Sequence, residues 1–375
     1  MWIQFYAVYN NSSKGIQCCM KAKQHVYDLN RVNLWEYAPL DTPYLIVIEP
    51  TFRCNIRCNY CIHSLSTSSL KKQGLSFDDM KWETFERTVE QISKFPHKIK
   101  QITFSGNGEP LLHRQLPEMI RLLKKSNVAE NILVISNGLL LTPEIGKSLV
   151  EAGLTTLRIS LQGVTGDKYK DVCGVDVAFD DFFDNLEHFY KNKGNTVFKI
   201  KIADTGLEPG EENAFYKKFG VICDYIDIEH ISDQFPGVDY SNKIRNEGNR
   251  TKYGFEYKRL YICSQVFFKL NVMCDGKIIF GYPDGLSFEG FNVNELSLVQ
   301  AWNSPEYITF LSDMLSLDFK KYSECENCLR YSRGAVIPED IIDGHEDAVL
   351  LRLEKKYSIK KDTKRGYLYC ANGFS

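Results

Sequence analysis

A chain of 375 residues, 43% hydrophobic and 25% charged, has material for two or three packed units. Its formal net charge of −2 argues against general attraction to nucleic acid or to an anionic membrane. No run of 18 apolar residues is present and no secretion signal is read, since Trp2 to Tyr9 is broken by Gln4 and lacks a preceding basic segment, so a cytoplasmic protein without a membrane span is expected.

Residues 1–43 read as an N-terminal extension. Tyr44 to Ile48 is the first predicted strand, and a loop rich in Cys, Asn and Ser follows it. Ser76 and Asp79 have the spacing of a capping box, and Trp82, Phe85, Val89 and Ile92 share one helix face. Strand–helix pairs then recur: Gln101 to Phe104 with Pro117 to Lys125, and Ile132 to Ser136 with Pro143 to Ala152. Next come Thr156 to Gln162 with Asp180 to Lys191, and Val197 to Ala203 with Gly210 to Phe219. Tyr225 to Glu229 is the sixth strand. Such alternation predicts an α/β fold, a partial (β/α)6 barrel over 44–240, with chemistry at the C-terminal ends of the strands. Beyond it, residues 260–333 form a small cysteine-rich domain, and a tail over 335–375 carries one helix, Glu346 to Lys356.

Twelve cysteines in a cytoplasmic chain suggest metal or thiol chemistry before disulfides. Three of them, Cys54, Cys58 and Cys61, lie within eight residues of the first loop. This spacing suits a 4Fe-4S cluster with a thiolate on each of three irons and the fourth iron open. Zinc on Cys54, Cys58, Cys61 and His63 is an alternative that spacing leaves standing.

The pattern CxxxCxxC, with Tyr60 before its last cysteine and a strand before its first, resembles the signature of the radical S-adenosylmethionine (SAM) superfamily. That resemblance implies SAM chelating the open iron, its reductive cleavage to a 5′-deoxyadenosyl radical, and hydrogen abstraction from a substrate. It also implies a flavodoxin- or ferredoxin-like reductant. Gly106-Asn107-Gly108-Glu109 looks like the family loop that holds the SAM amino group, with Asn107 a departure from it. Asn137, in Ser136-Asn137-Gly138, resembles a further SAM-side motif, and Ser160 and Gln162 match positions that contact SAM.

Strand alternation adds a separate expectation. Leu157, Ile159 and Leu161 oppose Arg158, Ser160 and Gln162; likewise Lys199 and Lys201, and Asp227 and Glu229, share the polar faces of their strands. With the apolar faces on the helices, these polar residues line a lumen suited to a polar substrate, as an ion-pair network, a catalytic set, or both.

Cys263, Cys274, Cys325 and Cys328, with the Asp275-Gly276 turn between them, resemble the SPASM/twitch extension of the same family, which implies an auxiliary Fe-S cluster. Gly281 stands where that family usually has a cysteine, so either Cys274 is the fourth ligand, or the auxiliary iron is open to substrate, or the site is lost or filled by zinc. The expected activity is an oxidoreductase-type reaction on a small polar metabolite or a peptide, extending to oxidation of a sugar or aminocyclitol hydroxyl with Lys201, Lys199 or Glu229 as base. Epimerisation is the alternative, with Cys173 as hydrogen donor; peptide modification is the third reading, and 43 N-terminal residues are short for a peptide-recognition domain.

Overall fold

The computed structural model describes residues 21–24, 31–72, 75–233, 235–244, 251–256, 258–282, 286–326, 328, 337–362 and 366–369. Residues 1–20 of the N-terminal extension and 329–336, where the cysteine-rich domain passes into the tail, lie outside the described residues.

Nine strands share one sheet: β1 (Lys23–Gln24), β2 (Leu45–Ile48), β3 (Ile99–Phe104), β4 (Ala129–Ser136), β5 (Thr156–Leu161), β6 (Val197–Ala203), β7 (Tyr225–Glu229), β8 (Lys269–Val272) and β9 (Ile278–Phe280). From β2 to β7 the spatial order follows the sequence, and each neighbouring pair is parallel. Parallel neighbours need a crossover, and each connection here contains a helix, from Trp82–Ile92 through Glu212–Phe219. This is the six-stranded α/β frame of the partial barrel.

Alternation in the strands decides which face meets the helices. Leu157, Ile159 and Leu161 of β5 and Phe198, Ile200 and Ile202 of β6 are fully buried, in one core with Phe85, Leu186 and Phe215 of the helices. Arg158, Ser160, Lys199 and Lys201 point the other way and stay half-buried. The capping pattern at Ser76 and Asp79 does not start a helix. Ser76 Oγ donates to the Asp78 carboxylate at 3.0 Å, Asp79 pairs with Arg53 at 2.6 Å, and the helix begins at Trp82. Those polar residues fasten the cysteine loop instead.

The sheet continues past the barrel on both sides. β1 adds to β7 in parallel, so part of the N-terminal extension is an edge strand. β8 adds to β2 in parallel through Leu45↔Lys269 and Ile48↔Val272, and β9 pairs antiparallel to β8. The cysteine-rich domain is therefore hydrogen-bonded into the barrel sheet. Its Trp302 is buried, donates from Nε1 to the Leu40 carbonyl at 3.1 Å, and packs beside Phe280 and Tyr307, whose rings stack at 4.0 Å. Trp302→Ala should lower unfolding stability by about 3–5 kcal/mol, because it opens a large cavity and takes from the Leu40 carbonyl one of its two donors, leaving Lys356 Nζ at 3.3 Å; a denaturant titration of the purified protein reads the loss directly. The tail helix Glu346–Tyr357 packs back on the N-terminal segment, with Arg352 Nε donating to the Ala38 carbonyl at 2.9 Å and Trp35 stacked on His345. Among the described residues no helix is long and apolar enough to cross a membrane.

Candidate active site

The loop that follows β2 carries Cys54, Cys58 and Cys61. Burial pushes the Cys54 and Cys61 thiols up to about 12, and the charges of the neighbouring cysteines push in the same direction. Cys58 is raised as well, by its hydrogen bond to Cys173 and then by burial. The three thiols thus face one space, and ionising them there requires a compensating positive group. Among the described residues no three His, Cys, Asp or Glu close tightly enough to hold a single metal ion. His63, the fourth member of the zinc alternative, is engaged elsewhere, with Nε2 at 2.8 Å from the Asn107 carbonyl oxygen. A multi-iron cluster that takes each thiolate on a separate iron fits this donor set, and one zinc does not.

The glycine loop after β3 lies directly against the cysteine loop. A Cβ on Gly108 would fall 2.0 Å from the Thr51 carbonyl oxygen, and one on Gly106, whose φ is +134°, would fall 2.5 Å from Glu49 Oε2. Asn107 N–H donates to Glu49 at 2.6 Å, and Glu109 N–H donates to the Arg53 carbonyl at 2.8 Å. The buried Glu109 carboxylate accepts from Ser136 Oγ at 2.7 Å, Asn137 N–H at 2.7 Å and Leu111 N–H at 3.0 Å. Asn137 Nδ2 in turn donates to Asn55 Oδ1 at 2.7 Å and lies 4.0 Å from Cys54 Sγ. Three loops that are distant in sequence become one unit around the thiols. Glu49 was not singled out by the sequence; burial raises its carboxyl to about 7 against the pull of the Asn107 amide.

A cavity of about 110 Å³ opens beside this unit, lined by Tyr60, Cys61, Ser160, Gln162, Lys201 and Glu229, with Lys252 at its wall. Tyr60 Oη donates to Gln162 Oε1, and Gln162 Nε2 donates to the Ser160 carbonyl at 3.0 Å. Lys201 pairs with Glu229, and Lys252 Nζ approaches the same carboxylate at 3.2 Å. Burial lowers Lys201 to about 7 despite Glu229, with Lys252 and Arg158 adding to the lowering. Burial opposes the ionised Glu229, yet Lys201, Lys252 and Arg158 together hold its carboxyl well below the usual range. Asp227 is pushed up to about 7 by burial and by Glu229.

Two features here were not legible from spacing. The segment after β7 straps the cysteine loop: Tyr240 Oη donates to the Tyr60 carbonyl at 3.0 Å, and Lys243 Nζ donates to the Asn59 carbonyl at 2.8 Å. Lys252 comes from the same region, beyond the last barrel strand.

Two sequence expectations need correction. Cys173 does not line the cavity; the residue is 1% exposed and its thiol lies 3.6 Å from that of Cys58, so it faces the first cysteine loop. The helix it ends is stitched to the cysteine loop through Arg57 N–H to the Cys173 carbonyl, at 3.2 Å, and Asn59 N–H to the Val172 carbonyl, at 2.8 Å. In the second group, burial pushes Cys263 up to about 12, and the charges of Cys328 and Cys325 add to it. Cys274 does not join them. Its thiol lies 3.8 Å from the Ser76 carbonyl and interacts with Glu49, because the β8 end that carries it abuts β2.

Comparison with known proteins places these features in context. A family model described as the radical SAM superfamily matches residues 48–203, and one described as an iron-sulfur cluster-binding domain matches residues 263–329. The chain is 24% identical to a GTP 3′,8-cyclase of Clostridium perfringens (strain 13 / Type A), over 85% of this chain and 91% of that protein. It is 33% identical to a tungsten-containing aldehyde ferredoxin oxidoreductase cofactor-modifying protein of Pyrococcus furiosus, over 33% of this chain and 37% of the relative. Among solved structures, Streptococcus suis SuiB bound to S-adenosylmethionine superposes with a TM-score of 0.53 at 16% identity, covering 80% of this chain and 74% of that one. Native anSMEcpe with bound AdoMet and a peptide superposes with a TM-score of 0.51 at 15% identity, covering 84% and 96%.

Proposed function

Because this chain belongs to the radical SAM superfamily and carries an iron-sulfur cluster-binding domain behind its barrel, we propose that it oxidises a hydroxyl-bearing carbon of a small polar substrate. Cys54, Cys58 and Cys61 hold the cluster, and Tyr60, Ser160 and Gln162 border the space that SAM fills next to it. When bound, the cluster and SAM supply a 5′-deoxyadenosyl radical that takes a hydrogen atom. Lys201 accepts the hydroxyl proton from the same carbon, and Glu229 orients the amine. Cys263, Cys325 and Cys328 would hold an auxiliary cluster, which would supply an acceptor for the remaining electron as one C–H and one O–H bond become a carbonyl.

The observation that carries this reading is a buried amine, paired with Glu229 and lowered by burial, in the same cavity as the SAM-side residues. A general base works best when its pKa is close to the working pH. Lys201 must be neutral to act, so the rate falls about tenfold for each pH unit below its pKa. We expect kcat to rise with pH through a limb centred near 7 and then level, while substrate-independent SAM cleavage shows no such limb. A pH–rate profile with both readouts checks this.

A second reading rests on the relative in Clostridium perfringens, named a GTP 3′,8-cyclase, whose resemblance extends along 85% of the chain. Such a ring closure is redox-neutral. Product masses separate the two. The anaerobically reconstituted protein is incubated with SAM, a reductant and deuterated candidates, including GTP. Deuterium in 5′-deoxyadenosine with a product that has lost one deuterium and one hydrogen supports oxidation; a GTP product that has only exchanged one deuterium for a solvent hydrogen overturns it in favour of cyclisation.

A further inference from the structure

Resting on the proposed function above, we infer that the substrate carries an oxyanion, a phosphate or carboxylate, held by Arg158, whose charge acts on Lys201 and Glu229 of the cavity wall. Arg158 stands on the lumen face of β5, in register between Ile135 of β4 and Lys199 of β6, one lumen position below Ser160. Its guanidinium donates no hydrogen bond to any described residue, and its Nε is shut off from solvent. Other cations around the cavity are provided for. Lys201 and Lys252 both reach Glu229, and His230 lies 3.1 Å from Asp204.

Charge counting points the same way. The electrostatic neighbours of Glu229 are three cations, Lys201, Lys252 and Arg158, and its second oxygen, Oε1, is buried without a partner. Asp227, the other carboxyl of the lumen, sits close to half-protonated near neutrality because burial and Glu229 both oppose its charge. With Lys201 itself lowered to about 7, Lys252 and Arg158 are the standing cations against Glu229, and the Arg158 Nε is buried without an acceptor. The planar fork of a guanidinium fits two oxygens of one oxyanion. The unpartnered Glu229 Oε1 accepts from a hydroxyl of the same molecule.

Arg158 and Gln162 are four residues apart along one strand, so their backbones are about 13 Å apart at ~3.3 Å per residue, and SAM affinity in an Arg158 variant separates a substrate oxyanion from the carboxylate of SAM.

The test uses the full-length reconstituted protein saturated with SAM, titrated calorimetrically under anaerobic conditions with orthophosphate, triphosphate and malonate. At least one should bind, and Arg158→Gln should weaken it by about 10- to 100-fold, with Arg158→Lys recovering part as a point charge. A preference for the phosphates or for malonate identifies the source of the oxyanion. SAM affinity, measured separately, should be the same in Arg158→Gln. No binding by the wild type, equal binding by Arg158→Gln, or loss of SAM affinity in that variant overturns the inference. A wild type that binds an oxyanion yet never transfers substrate hydrogen to 5′-deoxyadenosine counts instead against the proposed oxidation.

Discussion

Lys201→Met should lower kcat for substrate oxidation by about 10²- to 10⁴-fold, the usual worth of a positioned base, while SAM cleavage in the absence of substrate continues. The prediction follows from placement and burial together. Lys201 is on the lumen face of β6, across from Ser160 of β5, and burial brings its ammonium down to about 7. Removing it leaves Glu229 with Lys252 at 3.2 Å and Arg158 as an electrostatic neighbour, so the buried carboxylate keeps cationic partners and the fold has a remaining anchor. Lys201→Arg sharpens the test. Arginine keeps the charge beside Glu229 but does not deprotonate, so it should fold like the wild type and be as slow as the methionine variant. A Lys201→Arg protein with near-normal kcat would remove the base from the scheme. The measurements are single-turnover product formation and a melting curve for each variant.

Gly108→Ala should abolish SAM binding and most iron retention at the first cysteine loop, with a stability loss of about 1–3 kcal/mol or more. The added methyl group would meet backbone, not a flexible side chain: the Thr51 oxygen at 2.0 Å, then the Phe52 carbonyl carbon and the Arg53 oxygen, both at 2.8 Å. To make room, the 51–53 strip would have to move, and Cys54 with it. The Glu109 N–H to Arg53 bond of 2.8 Å, which sets the spacing of the two loops, would also be broken or stretched. Iron content after reconstitution and equilibrium dialysis with labelled SAM report the two losses independently. Normal iron and SAM binding in this variant would mean that the glycine loop has slack the packing does not show.

Much of the site is legible in the sequence because two local rules reach it. Cysteine spacing marks the first loop, and the two-residue period of β5, β6 and β7 separates Arg158, Ser160, Lys201 and Glu229 from the residues that meet the helices. Both rules concern neighbours along the chain. The rest depends on which distant segments touch. Glu49 gains its role from an amide 58 residues away, Tyr240 and Lys243 from carbonyls some 180 residues back, and Lys252 from Glu229 across the cavity. Cys274 has the composition context of a ligand, but β8 pairs with β2 and brings its thiol to Glu49. Ser76 and Asp79 carry a helix-start pattern that competes with Arg53, and the ion pair prevails.

The parallel seam between β8 and β2 makes the cysteine-rich domain inseparable from the catalytic half. A fragment ending near residue 240 would retain every thiol of the first loop, yet the strand that aims them would become a raw margin of the sheet. Its amides and carbonyls would be left to recruit other chains, and self-association would compete with maturation of the metal centre. The later domain thus guards the earlier one against aggregation, apart from any electrons it carries. Lineages that shed the auxiliary cluster would still have to keep its first strand, or cover that flank by other means.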